Sequence, residues 1–287
     1  MATMTGATVR DALAAATDGL AAAGVDQPRL DAELLLGEAM GCERAALLAD
    51  GGAEVPAPAA RSFGELVRRR LRREPVAYIL GRRGFRKLEL AVDRRVLIPR
   101  PETELLVELA LELQPRRVLD VGTGSGAIAL AVAEELPGCE VTATDTSLGA
   151  LEVARANAER LGLADRIDFL EGTLPEGEFD LVLANLPYVA ERDWPGLQPE
   201  VTGWEPREAL LAGPDGLDIY RGFLAACGRA FRPIAATSST AVAVEIGAGQ
   251  AEAVAALMRE AGFGSIETRR DLAGIERVVV GRVGGAA

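Results

Sequence analysis

Residues 117–136 narrow the possible folds sharply. A short buried-type strand, Arg117 to Val121, passes directly into Gly122-Thr123-Gly124-Ser125-Gly126 and then into the apolar stretch AIALAVAEEL. Glycines at that junction let the chain turn abruptly and bring backbone close to a ligand at the carboxyl end of a strand. The rhythm then repeats. Gly126 to Leu136 reads as a helix, CEVTATD as a strand, Ser147 to Gly162 as a helix, and RIDFLEG and FDLVLANLPYV as strands. Leu217 to Phe231 and Gln250 to Ala261 follow as helices around the strand AVAVEIG, and SIETRRDL and ERVVVGR close the chain as two strands. Strands alternating with helices predict an α/β fold with a doubly wound, mainly parallel seven-stranded sheet. Two final strands without an intervening helix predict an antiparallel edge pair.

Upstream the pattern differs. Residues 8–49 read as short helices broken at Gly24 to Pro28 and at Met40 to Cys42. SFGELVRRRLRREPVAYILG reads as a further helix with Ser62 as a candidate cap, restarted at Pro75. Residues 84–99 alternate apolar and polar side chains on either side of Asp93-Arg94-Arg95, which predicts a β-hairpin. The expected organisation is a helical domain over 1–80, a hairpin linker over 81–98 and an α/β domain over 99–287.

Composition removes several chemistries. The chain has no histidine and only Cys42, Cys139 and Cys227, far apart, so it lacks zinc-ligand spacing and any Ser-His-Asp or Cys-His pair; no metal is expected. No apolar run reaches transmembrane length, and residues 1–24 lack a signal-peptide profile, so the expected location is the cytoplasm. Net charge is −12, yet residues 61–100 carry thirteen basic against four acidic side chains. Such a band is either a solvated helix face or an oriented electrostatic contact.

The glycine spacing lacks the third glycine of a dinucleotide fingerprint, because residue 127 is alanine, and lacks the Lys-Ser/Thr ending of a P-loop. Asp145 ends the second strand, nineteen residues beyond Gly126, where an acid can accept both ribose hydroxyls of an adenosine-bearing ligand or cap the next helix. Asp120 can meet the amino group of a methionine-like tail or bond the loop. After the fourth strand, Asn185-Leu186-Pro187-Tyr188 forms a pocket lip. The Asn185 amide oxygen and the Leu186 carbonyl can accept both hydrogens of a planar NH₂ group, and Tyr188 can stack over it.

The loop, Asp145 and the lip together resemble amino-group methyltransferases that use S-adenosylmethionine. More narrowly, the chain resembles the HemK/PrmC family through PVAYILGRRGF, LIPRPETELLVE, LDVGTGSGAIALAVA, NLPYV, WEPREALLAGPDGLDIYR and RRDLAGIERVVVGR. The resemblance implies a class I S-adenosylmethionine-dependent methyltransferase fold behind a small helical domain. It also implies methylation of the glutamine side-chain amide in the Gly-Gly-Gln motif of bacterial peptide chain release factors. By the same resemblance, Gly122, Thr123, Gly124, Ser125 and Gly126 hold the cofactor's methionine part and Asp145 its ribose, while Thr173 lies by the adenine. Asn185, Leu186, Pro187 and Tyr188 hold the glutamine amide. Arg100 with Pro101, Glu102 and Glu104 shapes the entrance, and Glu205, Pro206 and Arg207 brace a substrate loop over 190–216.

Three departures from the family pattern stand out. Leu186 replaces the usual proline, and Asn-Leu-Pro-Tyr is familiar from ribosomal RNA adenine dimethyltransferases. Gly172-Thr173 replaces an acid-aromatic pair. The stretch RPIAATSSTAVAVEIG lacks a Gly-Gly turn. A nucleic-acid adenine amino-methyltransferase and a non-catalytic cofactor-fold binding module are therefore the alternative functions. The acidic net charge disfavours a stable nucleic-acid complex. The expected partners are class-I release factors, no membrane is expected, and the expected state is a monomer.

Overall fold

The computed structural model describes residues 7–231 and 239–283, so residues 232–238, the first part of the stretch lacking the Gly-Gly turn, lie outside the described residues. By contact density the chain divides into two units. Met1–Gly81 and Gln198–Trp204 form the first, and Arg82–Leu197 with Glu205–Ala287 the second. The hairpin residues thus group with the α/β body, and seven residues of the 190–216 loop group with the helices.

The first unit contains α1 (Val9–Ala22), α2 (Pro28–Met40), α3 (Arg44–Ala49), α4 (Ala57–Leu71) and α5 (Val76–Leu80). Thr8 and Asp11 form a reciprocal capping box on α1, and Gly41 ends α2 in the left-handed conformation. The α4 helix begins at Ala57 behind Pro56, five residues before Ser62, and Pro58 occupies its first turn, so Ser62 lies inside the helix rather than capping it. Leu13, Leu20, Leu35, Leu36, Phe63 and Ile79 meet in one apolar core.

The same unit holds a charged cluster. Buried Arg70 pairs with Asp31 at 2.7 Å and with Glu200 at 2.7 Å; Arg73 reaches Glu200 at 2.6 Å. Burial raises the Asp31 carboxyl above its ordinary range, and the Arg70 guanidinium pulls it back. Arg70→Met would leave two buried carboxylates short of a partner. It is expected to cost about 3 kcal/mol in a urea titration of the whole chain. Arg29→Met, which removes a half-exposed partner of Glu33, is expected to cost under about 1 kcal/mol.

In the second unit, β1 (Arg82–Phe85) and β2 (Leu88–Ala91) form the hairpin. Its reversal is at Arg86-Lys87, with Arg86 at φ +49°, rather than at Asp93-Arg94-Arg95, which forms a separate turn closed by Val96 N–H on the Asp93 carbonyl. Burial of Phe85, Leu88 and Leu90 against one core sets that register, and Arg86 is held by Glu135 at 2.5 Å.

Among the described residues, seven further strands form one sheet. They are β3 (Arg117–Val121), β4 (Glu140–Asp145), β5 (Ile167–Glu171), β6 (Leu181–Ala184), β7 (Thr240–Glu245), β8 (Gly264–Arg270) and β9 (Glu276–Val283). Their order is β5-β4-β3-β6-β7-β9-β8. The first five run parallel, and β9 and β8 close the edge antiparallel. This is the predicted sheet.

Alternate residues feed two cores. Val118, Leu181 and Leu183 pack under α6 (Glu104–Leu113) and α7 (Ala127–Glu135). Leu119, Val121 and Val182 pack under α10 (Asp218–Ala230) and α11 (Ala251–Glu260). Burial on both faces is why these strands read as nearly continuous apolar runs. The remaining helices are α8 (Leu148–Leu161) in this unit and α9 (Pro199–Trp204) in the first. Strand order reverses around β3, which leaves a crevice at the carboxyl ends of the strands.

Candidate active site

That crevice is a cavity of about 570 Å³. Its walls are Gly122 to Ser125 after β3, Asp145 to Ser147 after β4, Gly172 to Leu174 after β5 and Asn185 to Pro187 after β6. Val96, Leu97, Pro99 and Thr103 also line it, as do Pro206, Ile219 and Phe223.

The glycine loop is held by its neighbours before any ligand arrives. Gly122 and Thr123 N–H both donate to the Thr144 carbonyl at 2.8 and 2.9 Å, Gly124 N–H to Asp145 Oδ2 at 2.9 Å, and Gly126 N–H to the Thr123 carbonyl at 2.8 Å. Buried Asn157 on α8 donates to the Ser125 carbonyl at 2.9 Å and the Ala91 carbonyl at 3.0 Å, joining the loop to β2. With those N–H groups bonded internally, the loop is no phosphate cradle. It offers shape. Gly122 sits at φ +74°, and a Cβ there would stand 3.1 Å from Leu186 Cδ2; at Gly126 (φ +86°) it would stand 2.8 Å from Leu130 Cδ1. Any side chain at either glycine would push the loop off its support.

Asp145 lines the cavity and also accepts from Ser147 N–H at 2.8 Å. The helix cap is Ser147, whose Oγ accepts from Ala150 N–H at 3.2 Å. Asp145 is thus held by two backbone N–H donors, and its remaining lone pairs suit a vicinal diol. Thr173 lines the cavity, and its carbonyl accepts from the Thr144 hydroxyl at 2.9 Å. A largely apolar slot lined by glycines and by the fixed Asp145 carboxylate suits an adenosine-bearing, phosphate-free cofactor.

Asp120 is wholly buried and outside the lining. One oxygen accepts from Thr123 Oγ1 at 2.7 Å and Ala129 N–H at 3.1 Å, while Oδ1 has no partner. Burial pushes its carboxyl up to about 7, against the pull of those two bonds. Its bonds tie the loop to the first turn of α7.

The lip divides in two. Asn185, Leu186 and Pro187 line the cavity. Asn185 Nδ2 donates to Thr103 Oγ1 at 2.9 Å, which leaves Oδ1 as the free acceptor of the amide. Leu186 is buried against the space that Gly122 vacates. Tyr188, by contrast, is not in the lining. It packs into the second core, its Oη stands 3.5 Å from Glu245 Oε1, and its carbonyl accepts from Gln250 Nε2 at 3.0 Å. Burial and the adjacent Glu245 push the phenol up to about 12.

Arg100 and Glu205 meet each other outside the lining, at 2.6 Å, and Glu205 also accepts from Ile98 N–H at 3.2 Å. Among the described residues at least eight of the thirteen basic side chains in 61–100 are paired with carboxylates, some buried, as at Arg70 and Arg86, and some at the surface, as at Arg82 and Arg95. Among the described residues no cluster suited to a metal ion occurs.

Two residues at the site carry no motif signal of their own: Thr103, inside LIPRPETE, and Glu245, at the end of β7. Glu245 is 1% exposed, and its Oε2 has no partner. Burial pushes it up to about 7 from an ordinary 4.5. A carboxyl raised on folding favours the folded state while neutral, and that contribution is lost as pH rises through 7. Glu245→Gln is therefore expected to change stability little at pH 4 and to stabilise by about 3 kcal/mol at pH 8, read by thermal unfolding at both pH values.

The strand order, with two antiparallel strands closing an otherwise parallel sheet and a cavity at its switch point, places the protein among the class I S-adenosylmethionine-dependent methyltransferases. Family profiles agree: a PrmC N-terminal domain matches residues 11–81 and a methyltransferase small domain residues 101–196. A release factor glutamine methyltransferase of Caulobacter vibrioides is 42% identical over 96% of both chains, and that of Geobacter sulfurreducens is 41% identical over 96% of this chain and 97% of its own. The chain belongs to the release factor glutamine methyltransferase family. The fold also occurs in the catalytic domain of hMettl16 in complex with MAT2A 3′UTR hairpin 6, which is 15% identical with a TM-score of 0.54, over 67% of this chain and 74% of that one.

Proposed function

We propose that this protein transfers the methyl group of S-adenosylmethionine to the side-chain amide nitrogen of the glutamine in the Gly-Gly-Gln motif of bacterial class-I release factors. The observation that carries this reading is the Asn185 amide, which is oriented by Thr103 so that an acceptor oxygen is left for a planar NH₂ donor. Near full-length relatives named for the release factor glutamine favour a protein amide over an RNA base.

Bound cofactor supplies an electrophilic sulfonium methyl. Gly122, Thr123, Gly124 and Ser125 border its methionine part, Asp145 accepts its ribose hydroxyls, and Thr173 lies by its adenine. Asp120 and Gly126 act on the cofactor only through the shape of the loop. An amide nitrogen is a weak nucleophile because its lone pair is delocalised. Asn185 Oδ1 and the Leu186 carbonyl accept its two N–H bonds, align it for in-line attack and stabilise the positive charge that develops on nitrogen. The methylated nitrogen then releases one proton to water, so the route needs no histidine. A leucine carbonyl serves as well as a proline carbonyl. Tyr188 supports the lip from behind rather than stacking on the substrate, and Arg100 with Glu205 braces the cavity wall. The helical domain recognises the release factor, and the protein works in the cytoplasm as a monomer without a stable nucleic-acid complex.

Labelled cofactor offered with purified release factor and, separately, ribosomal RNA tests the reading. Label on the Gly-Gly-Gln glutamine is expected; label on RNA adenine alone would overturn it.

A further inference from the structure

We propose that Gln250, the residue just before α11, is a positioning residue for the methyl transfer: its side-chain amide holds the Tyr188 carbonyl and so fixes the direction of the Leu186 carbonyl two residues earlier. The inference rests on the proposed amide clamp and adds to it a residue that lies outside the cavity lining.

Both ends of the Gln250 amide are committed. Oε1 accepts from Gly247 N–H at 2.9 Å, and Nε2 donates to the Tyr188 carbonyl at 3.0 Å and, more weakly, to the Gly216 carbonyl at 3.4 Å. A backbone N–H only donates and a backbone carbonyl only accepts, so these three partners admit one orientation of the amide. The side chain stands at the capping position of α11 yet makes no bond to the open N–H groups of that helix. Two glycines make the approach possible. A Cβ on Gly216, which sits at φ +80°, would stand 2.5 Å from the Tyr188 carbonyl oxygen and 2.9 Å from Gln250 Nε2. One on Gly247 would stand 3.0 Å from Gln250 Oε1.

The lip is thereby fixed on both sides of Pro187. The Leu186 carbonyl belongs to the peptide between Leu186 and Pro187, and the proline ring locks the φ of residue 187. Ahead of the ring the Leu186 side chain is buried against Gly122; behind it the Tyr188 carbonyl is held by Gln250. Anchored at both ends, that peptide has little freedom to rotate, and its oxygen keeps one direction. Neighbouring bonds tie the loop over 190–216 where it returns to the lip. Val189 N–H donates to the Leu210 carbonyl at 2.8 Å, Ala212 N–H donates to the Val189 carbonyl at 3.0 Å, and Gly216 shares the Gln250 amide with Tyr188. Without that amide the Tyr188 carbonyl is released, and the Leu186 oxygen swings out of line with the substrate N–H.

Gln250→Leu removes the three bonds and keeps most of the bulk. At saturating cofactor and release factor, kcat is expected to fall about 10²-fold, while KM for release factor and cofactor affinity each stay within about threefold. Gln250→Glu keeps the shape and an acceptor for Gly247 N–H, but at about pH 8 it is ionised and donates to neither carbonyl, so it should be as slow as Gln250→Leu. Protection of Gly247 N–H against hydrogen exchange should be lost in Gln250→Leu and kept in Gln250→Glu, which separates a slow enzyme from an unfolded one. Asn185→Ala supplies the readout that a merely structural role would not move. Asn185 Oδ1 and the Leu186 carbonyl grip the same NH₂ group, so once one grip is lost the other no longer aligns it. The double variant Asn185→Ala with Gln250→Leu should therefore be no more than about threefold slower than Asn185→Ala alone, whereas independent damage would multiply the two losses. Multiplied losses, a kcat in Gln250→Glu equal to the parent's, or lost Gly247 protection in Gln250→Glu would overturn the positioning role while the parent still labels release factor. A parent that leaves release factor unlabelled would overturn the proposed function, and this inference with it.

Discussion

Asn185→Ala is expected to lower the rate of methyl transfer to release factor about 10³-fold while leaving cofactor affinity within about threefold. Asn185 ends the run out of β6 at the cavity, and its amide nitrogen already bonds Thr103 at 2.9 Å. Truncation removes the side-chain acceptor that aligns the substrate nitrogen and stabilises its developing charge. It removes none of the hydrogen bonds that hold the glycine loop and Asp145. Single-turnover transfer of labelled methyl, paired with calorimetric titration of the cofactor, separates the two effects. Equal rates in variant and parent at saturating cofactor would remove the amide clamp from the mechanism.

The complementary result is expected at Asp145. Asp145→Ala should weaken cofactor binding about 10³-fold, because two hydrogen bonds to a charged acceptor are lost at about 1.5–3 kcal/mol each. The same change leaves Gly124 and Ser147 N–H without their carboxylate acceptor, so the glycine loop loosens as well. Calorimetric titration reads the loss directly. Raising the cofactor concentration should restore turnover in Asp145→Ala and should fail to restore it in Asn185→Ala. That contrast separates cofactor capture from substrate orientation. Unchanged affinity in Asp145→Ala would move the ribose elsewhere in the cavity.

Much of the α/β body is legible along the chain because its signals are local. Val118 and Leu119 point to opposite cores, so β3 had to be apolar throughout, and the turn after it had to be glycine because Gly122 and Gly126 adopt positive φ against tight neighbours. Ser147 and Gly41 mark helix ends by their own bonding preferences. The hairpin was less legible. Its alternation continues past Asp93, and only burial of Phe85, Leu88 and Leu90 selects the reversal at Arg86-Lys87. Parts of the basic band likewise read as surface until Asp31, Glu135, Glu200 and Glu205, remote in sequence, are brought alongside.

The amino-acid order by itself determined the strand-helix rhythm, the glycine turn, the acid after β4 and the Asn-Leu-Pro-Tyr lip, since each depends on backbone preferences and spacing within a few residues. Tertiary structure alone decided which lip residues face the cavity and which support them. Tyr188 turns into the core because Gly247 leaves room for its ring, where a Cβ would stand 3.1 Å from Tyr188 Cδ2. The face of the Asn185 amide depends on Thr103, 82 residues earlier. Hydrogen-bond sense at a buried site is set by whichever donors and acceptors the fold brings within about 3 Å, and no local pattern encodes that meeting.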